Sequence, residues 1–323
     1  MSYPVVAEVV RSGFVEGHHY GSVVALAADG SVDWSVGKVD VPILPRSCNK
    51  PIQALGMVRA GLDLPPDLLA LACASHSGEP FHLEGVRRIL AGAGLDESAL
   101  QTPPDYPLDD KERDALLRAG GGRTSIHMNC SGKHAAMLAT CVLNGWDTAT
   151  YLAPDHPLQV VIRKTFEELT GEGAYVAVDG CGAPLLSTSL VGLAMAFRRV
   201  ALGVGGDDQA DEGAGRIASA IREHPEMVSG TRRDERVLLT SIPGAIGKAG
   251  AESCYVVALR DGRAFALKTD DGAVRARAVV MAAALSRSGV DGEVGVDGAA
   301  VRRTGESVLL GGGLPVGEIR AVM

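Results

Sequence analysis

Two regions with β-strand patterns enclose a long helical region, and this order restricts the fold more than any other feature of the chain. Residues 1–45 are rich in β-branched side chains and are interrupted at Asp29-Gly30, a dipeptide typical of hairpin turns. Residues 46–241 are mainly helical in pattern, and strand patterns return in residues 242–323. We predict an α+β fold for a single domain spanning residues 1–323, with a mixed sheet formed by both chain ends and a mainly helical insert.

Boundary residues support the helical interpretation of the insert. Pro157 lies near the first turn of one helical run and Gly171 just past its end, and Gly145 follows the end of another run, positions that these residue types favour. One short strand pattern, residues 174–180, interrupts the helical region just before Cys181.

Composition excludes several classes of protein. The 323 residues are 46% apolar, enough for a sizeable core, and the net charge is -8. The basic pairs Arg232-Arg233 and Arg302-Arg303 are too short to indicate a nucleic-acid partner. No apolar run approaches the ~20 residues of a membrane span, and the N-terminus lacks the pattern of a secretory signal. We therefore expect a cytoplasmic protein without a membrane partner, whose six cysteines are reduced.

The first stretch with catalytic potential contains Ser47 and Lys50 at the start of a predicted helix. Residues at i and i+3 share a helical face, and a neutral lysine can take the proton of a serine nucleophile. The same S-x-x-K pattern occurs in serine β-lactamases and penicillin-binding proteins. Ser35 and Lys38 repeat the spacing inside the first hairpin, where alternation separates the two side chains. The alternative is a helix-capping Ser47 beside a solvated Lys50.

Lysine is scarce, which makes each lysine in a motif informative. The 31 basic residues comprise 24 arginines and only seven lysines, and arginine cannot give up its proton in a protein. Lys248 lies in a bend rich in glycine and alanine, an unusual place for a solubilising charge.

Three further stretches concentrate polar groups at the ends of predicted elements. Ser75, His76 and Ser77 follow an apolar helix, where ordinary helix-end hydrogen bonding is the alternative role. The second stretch, with Asn129, Cys130 and Lys133, lies at the start of another predicted helix, where backbone amides can hold an anion. The third stretch, with Asp179 and Cys181, follows the short predicted strand, a position where ligand contacts are frequent.

Taken in chain order, "RSCNKPIQALG", "CASHSGEP", "NCSGKHAAML", "DGCGAP" and "KAGAE" resemble the signatures of the L-asparaginase II family, the rhizobial-type or class 3 asparaginases. The resemblance runs from about Val5 to the last predicted strand. It implies hydrolysis of L-asparagine to L-aspartate and ammonia, a fold similar to serine β-lactamases and glutaminases, and a homodimer.

The resemblance also implies roles for individual residues. Ser47 with Lys50 would form one Ser-Lys pair, and either Ser75 or Ser77 would form a second pair with Lys248. Substrate-site residues would be Arg46, His76, Asn129, Cys130, Lys133, Asp179 and Cys181, of which Cys130, Lys133 and Cys181 can hold a zinc ion that is not required for activity. Asp234 and Glu235 stand where the family pattern leads us to expect another cysteine.

Two alternatives to an asparaginase remain open at this point. Another S-x-x-K amidohydrolase, of the glutaminase or penicillin-recognising type, would share Ser47 and Lys50. A non-catalytic zinc-binding protein would use Cys130 and Cys181.

Overall fold

The computed structural model describes residues 3–323. Its strands are β1 (Val5–Arg11), β2 (Phe14–Leu26), β3 (Val32–Val36), β4 (Val176–Val178), β5 (Pro184–Leu186), β6 (Ile246–Ala249), β7 (Cys254–Ala258), β8 (Ala264–Thr269), β9 (Val308–Gly311) and β10 (Leu314–Ala321). Its α-helices are α1 (Lys50–Arg59), α2 (Pro66–Ala72), α3 (Pro80–Gly92), α4 (Asp110–Arg118), α5 (Ser131–Asn144), α6 (Pro157–Thr170), α7 (Leu190–Leu202), α8 (Glu212–Glu223), α9 (Pro225–Ser229), α10 (Asp234–Ser241), α11 (Val274–Arg287) and α12 (Gly298–Thr304). None of the helices in this described range is both long and apolar enough to cross a membrane.

The chain forms two compact units. The first unit contains the residues up to Cys48 together with Thr188–Leu202 and Val237–Met323, and the second contains Asn49–Ser187 and Gly203–Arg236. The first unit holds the large sheet with α7, α11 and α12, while the second holds most of the helices and the small β4–β5 sheet.

Strands from both chain ends build the sheet of the first unit, which confirms the predicted α+β fold. The strand order is β6-β7-β8-β2-β1-β10-β9, and β3 pairs with β2. Val9 of β1 faces Ile319 of β10, and Val24 of β2 faces Ala266 of β8. Every pairing in the described part of the chain is antiparallel, so the prediction of a mixed sheet was wrong. Short hairpins such as β1–β2 and β7–β8 impose this orientation on consecutive strands.

The core of the first unit lies around β8. Phe265, Ala266 and Leu267 are all buried, because α7 and α11 both contact this strand. A strand covered on both faces loses the alternation of apolar and polar residues.

The helical core of the second unit is centred on α1, α2 and α5. α1 packs against α6, α2 against α8, and α3 against α5. The predicted boundaries are confirmed: Pro157 opens α6, while Gly145 and Gly171 end α5 and α6 in the left-handed conformation. The short predicted strand is present as β4, which pairs with β5 and places Cys181 in the turn between them.

Candidate active site

Lys50 is the first residue of α1, and its side chain is buried inside the second unit. Its Nζ donates to the carbonyl oxygen of Ala74 at 2.6 Å and lies 2.9 Å from the Ser75 hydroxyl oxygen. A buried amine without such partners would be strongly destabilising. The solvated Lys50 of the capping alternative is therefore not what the structure contains.

Ser75 is held by backbone contacts as well as by Lys50. Its N–H donates to the carbonyl oxygen of Val228 at 3.1 Å. Its own carbonyl oxygen accepts a hydrogen bond from Nη1 of Arg233 at 2.8 Å. The hydroxyl of Ser75 is thus fixed against an amine within one compact unit.

Ser77 is placed differently from Ser75. Its hydroxyl donates to the carbonyl oxygen of Ser229 at 2.5 Å. Gly230, with φ 124°, lies so close that a Cβ there would collide with the Ser77 hydroxyl. Glu79 fixes the same segment by accepting from the N–H and the hydroxyl of Thr231 at 2.8 and 2.7 Å. Of the two serines that the sequence left open, Ser75 is the one beside an amine in the second unit.

His76 is buried with its ring fixed by Ser131. Nε2 lies 2.8 Å from the Ser131 hydroxyl oxygen, and that hydroxyl donates to the carbonyl oxygen of Ile126. Nε2 therefore carries the hydrogen and donates it. Burial, followed by the charges of His82, Lys50 and His127, holds the pKa of His76 well below its usual value. The ring stacks on His82 with 5.3 Å between centroids.

Cys130, Lys133, His134 and Cys181 form a buried group in the second unit, which we call the thiol cluster. Lys133 Nζ lies 3.3 Å from the sulfur of Cys181, and the Cys130 sulfur lies 3.2 Å from the side-chain oxygen of Asn129. His134 Nδ1 lies 2.7 Å from the Tyr151 hydroxyl. Cys130 directly precedes α5, Lys133 and His134 lie in the first turn of α5, and the β4–β5 turn supplies Cys181.

The surroundings of the Cys181 sulfur favour a negative charge on it. A hydrogen bond from Cys130 and the nearby Lys133 ammonium lower the pKa of Cys181 far below its usual value despite burial. The same hydrogen bond and burial raise the pKa of Cys130, so Cys130 stays a thiol. Burial opposes the charge of Lys133, but the sulfur atoms of Cys181 and Cys130 outweigh this effect and raise the Lys133 pKa. These directions favour a thiolate at Cys181 beside the ammonium of Lys133.

The donor types of the thiol cluster fit a zinc ion. Two sulfur atoms and one amine are suitable zinc ligands, and a fourth position would stay open. Lys133 would have to lose its proton to ligate, so binding would release protons. Within residues 3–323, no group of three or more His, Cys, Asp or Glu side chains is arranged to hold a metal.

The first unit contains Ser47 and Lys248. Ser47 lies in a short 3-10 helix, Arg46–Asn49, which leads directly into α1. Cys48 donates to the carbonyl oxygen of Lys248 at 3.1 Å, so the Ser47 segment contacts β6. A Cβ at Gly250 would lie 3.1 Å from the Cys48 sulfur and 2.7 Å from the Pro45 carbonyl oxygen, and this close approach explains the glycine.

Comparison with known proteins decides the family. The model of the L-asparaginase II family matches residues 7–321. The chain belongs to the L-asparaginase II family. It is accordingly an amidohydrolase.

Solved structures similar to this L-asparaginase II family member include glutaminases and β-lactamases. A glutaminase from Bacillus is 10% identical, covers 84% of this chain and 91% of its own, and has a TM-score of 0.47. A β-lactamase from Mycobacterium bovis is 13% identical, covers 88% and 96%, and has a TM-score of 0.39. Likenesses at this level say nothing about the reaction or its substrate. No protein with a curated description matches the chain.

Several residues that contact the candidate site were not predicted from the sequence. Arg233 was considered only as half of a basic pair, although it contacts Ser75. Thr231 and Tyr151 carry no pattern that marks them, because their partners Glu79 and His134 are distant in sequence. The arginine partner of a backbone carbonyl can be inferred from sequence only when the motif that it contacts is already known.

Proposed function

We propose that this amidohydrolase is an L-asparaginase that uses a serine nucleophile activated by lysine. The observation that supports it best is the buried Lys50 amine beside the Ser75 hydroxyl, in a member of the L-asparaginase II family. A serine hydroxyl within hydrogen-bond distance of an amine can pass a proton to or from it, so this contact supports Lys50 as the base and Ser75 as the proton relay.

In the proposed reaction, the hydroxyl oxygen of Ser47 attacks the side-chain amide carbon of asparagine, and Lys50 takes the serine proton. The carbon–nitrogen bond then breaks as a proton passes to the nitrogen, which leaves as ammonia. Ser75 is the group through which Lys50 returns that proton, because its hydroxyl touches the amine. Water then attacks the ester carbon, aspartate leaves, and the Ser47 hydroxyl is restored. Pairing of Lys248 with a serine of the second unit stays a prediction.

The substrate groups that do not react are assigned to the second unit. Asp179, half-buried in the turn beside Cys181, would pair with the α-ammonium of asparagine. Arg46, His76, Asn129 and the thiol cluster stay predicted substrate-binding residues. Cys130, Lys133 and Cys181 would hold zinc, which when bound supplies a Lewis acid near the substrate.

A coupled ammonia assay on asparagine and glutamine, with and without zinc, tests the proposal. We expect ammonia from asparagine, and we expect Ser47→Ala and Lys50→Met to lower kcat by about 1,000-fold or more. Ser35→Ala is the matched control, because Ser35 has the same spacing to a lysine but is exposed on β3. Turnover of glutamine alone, or of nitrocefin, would favour the other S-x-x-K hydrolases. Tight zinc binding without amidase activity would favour the non-catalytic alternative.

Comparison of Ser75→Ala with Ser77→Ala tests which serine takes part. We expect the first substitution to lower kcat by about 100-fold or more, because only Ser75 touches Lys50. The reverse order of losses would contradict the assignment. A homodimer and a cytoplasmic location stay predictions, the first of which light scattering on the purified protein can check.

A further inference from the structure

Arg233 lies between the polypeptide segment that carries Ser75 and the start of α10. Its Nη1 donates to the Ser75 carbonyl oxygen at 2.8 Å, while Nη2 lies 3.8 Å from the carboxylate of Glu235, a fully buried side chain. One planar guanidinium thus joins a backbone carbonyl to a buried counter-ion. Glu235 belongs to the pair of acidic residues found where a further cysteine was expected.

The contacts of Ser75 leave its position dependent on this guanidinium. The N–H of Ser75 is bound by Val228 and its hydroxyl by Lys50, so Arg233 is the donor seen at its carbonyl oxygen. Without that donor, the Ser75 carbonyl would lack a partner in a buried site, and the peptide unit after Ser75 would be held only at its other end, by the bond from the His76 N–H to the Asn129 carbonyl oxygen at 3.0 Å. A tilt of the peptide unit about that remaining bond would move the Ser75 hydroxyl away from the amine.

We propose that Arg233 is a positioning residue, which holds the Ser75 carbonyl through its pairing with Glu235 and so keeps the Ser75 hydroxyl at hydrogen-bond distance from Lys50. This inference rests on the proposed function for its effect on catalysis. Lysine cannot replace Arg233 fully, because an ammonium lacks the fork that joins two acceptors in fixed directions.

Kinetics of Arg233→Gln and Arg233→Lys test the catalytic part. A misplacement of about 1 Å costs about 100-fold in rate, so we expect kcat of Arg233→Gln to fall by about that factor with KM changed by less than about threefold. Arg233→Lys should restore part of the lost kcat. Arg232→Gln is the neighbouring control, because Arg232 pairs with Asp109 and Glu112 and lies 3.7 Å from Glu79, but makes no contact with Ser75. We expect its kcat to stay within about threefold of wild type.

Amide hydrogen exchange of residues 74–76, which Arg232 does not contact, gives a readout that does not require activity. We expect exchange to be about tenfold faster in Arg233→Gln than in wild type and unchanged in Arg232→Gln. If the wild-type protein released no ammonia from asparagine or glutamine, the proposed function would fail. The hydrogen-exchange result alone would then decide whether Arg233 holds Ser75. Unchanged exchange in Arg233→Gln overturns the inference. Equal losses of kcat in Arg233→Gln and Arg232→Gln also overturn the inference, since they would indicate that loss of either arginine destabilises this part of the structure in general.

Discussion

The buried imidazole of His82 should make the folded state sensitive to mild acid. His82 lies in the first turn of α3, seven residues after Ser75. Its Nε2 donates to the carbonyl oxygen of Glu226 at 3.0 Å. Burial lowers the pKa of His82 from 6.5 to about 4, while the Glu226 carbonyl and Glu79 oppose this shift and Arg233 adds to it. The folded protein therefore keeps this ring neutral at pH values where the unfolded chain protonates it.

The sign and size of the effect follow from linkage. Above pH 6.5 the ring is neutral in both states and contributes no pH dependence. As the pH falls from 6.5 towards 4, only the unfolded state gains the proton, so stability is lost. At pH 5 the unfolded ring is almost fully protonated and the folded ring mostly neutral, which lowers the free energy of unfolding by about 2 kcal/mol relative to pH 7.

Urea unfolding of wild type and His82→Gln at pH 7 and pH 5 measures this contribution. Glutamine can place its amide nitrogen near the position of Nε2, so it should keep the bond to Glu226 and remove the titration. We expect the variant to lose about 2 kcal/mol less than wild type between the two pH values.

His82→Asn separates titration from the hydrogen bond. Asparagine is too short to reach Glu226, so this variant should be about 1 kcal/mol less stable than the glutamine variant at pH 7 and show the same reduced pH dependence. Equal losses between pH 7 and pH 5 in wild type and both variants would refute the reasoning, because the buried ring would then not be the group that titrates.

Three further predictions follow from single contacts. Gly230→Ala should lower the free energy of unfolding by about 3 kcal/mol, because φ is 124° there and the new Cβ would collide with the Ser77 hydroxyl. Gly94→Ala is the control: φ is also positive, but no atom lies near the new Cβ, so the loss should be only about 1 kcal/mol. Equal losses of the two variants in urea unfolding would contradict the collision. Cys181→Ser should weaken zinc binding by at least about tenfold in a chelator competition, since it removes the thiolate; unchanged affinity would place any zinc elsewhere. Arg59→Lys should cost about 1 kcal/mol at pH 7 by losing the two-pronged bond to Glu168. Arg59 holds the pKa of Glu168 below its usual value, so this cost should shrink as acid protonates the carboxylate, and a cost unchanged in acid would contradict the ion pair.

Local sequence patterns determined the elements and the approximate place of the chemistry. Gly145 and Gly171 end helices, and Asp29-Gly30 joins two strands, because each choice depends on backbone preferences of neighbouring residues. Lysine is scarce, and the motif stretches singled out Lys50, Lys133 and Lys248 among the seven; the structure buries all three. A buried amine needs polar partners. A lysine inside a stretch rich in polar side chains is therefore a good candidate for a buried, functional lysine.

The tertiary structure alone decided which polar groups meet. Ser75 and Ser77 are both small hydroxyl residues after α2, and nothing in their spacing says that the first contacts Lys50 and the second contacts Ser229. The Cys181 sulfur likewise meets the amine of Lys133, 48 residues away in sequence. Tertiary packing also decides the strand order of the antiparallel sheet. It likewise brings Arg233 into contact with Ser75, 158 residues away in sequence. Such pairings depend on how whole helices and strands pack, and packing is a property of the entire chain that short-range patterns do not contain.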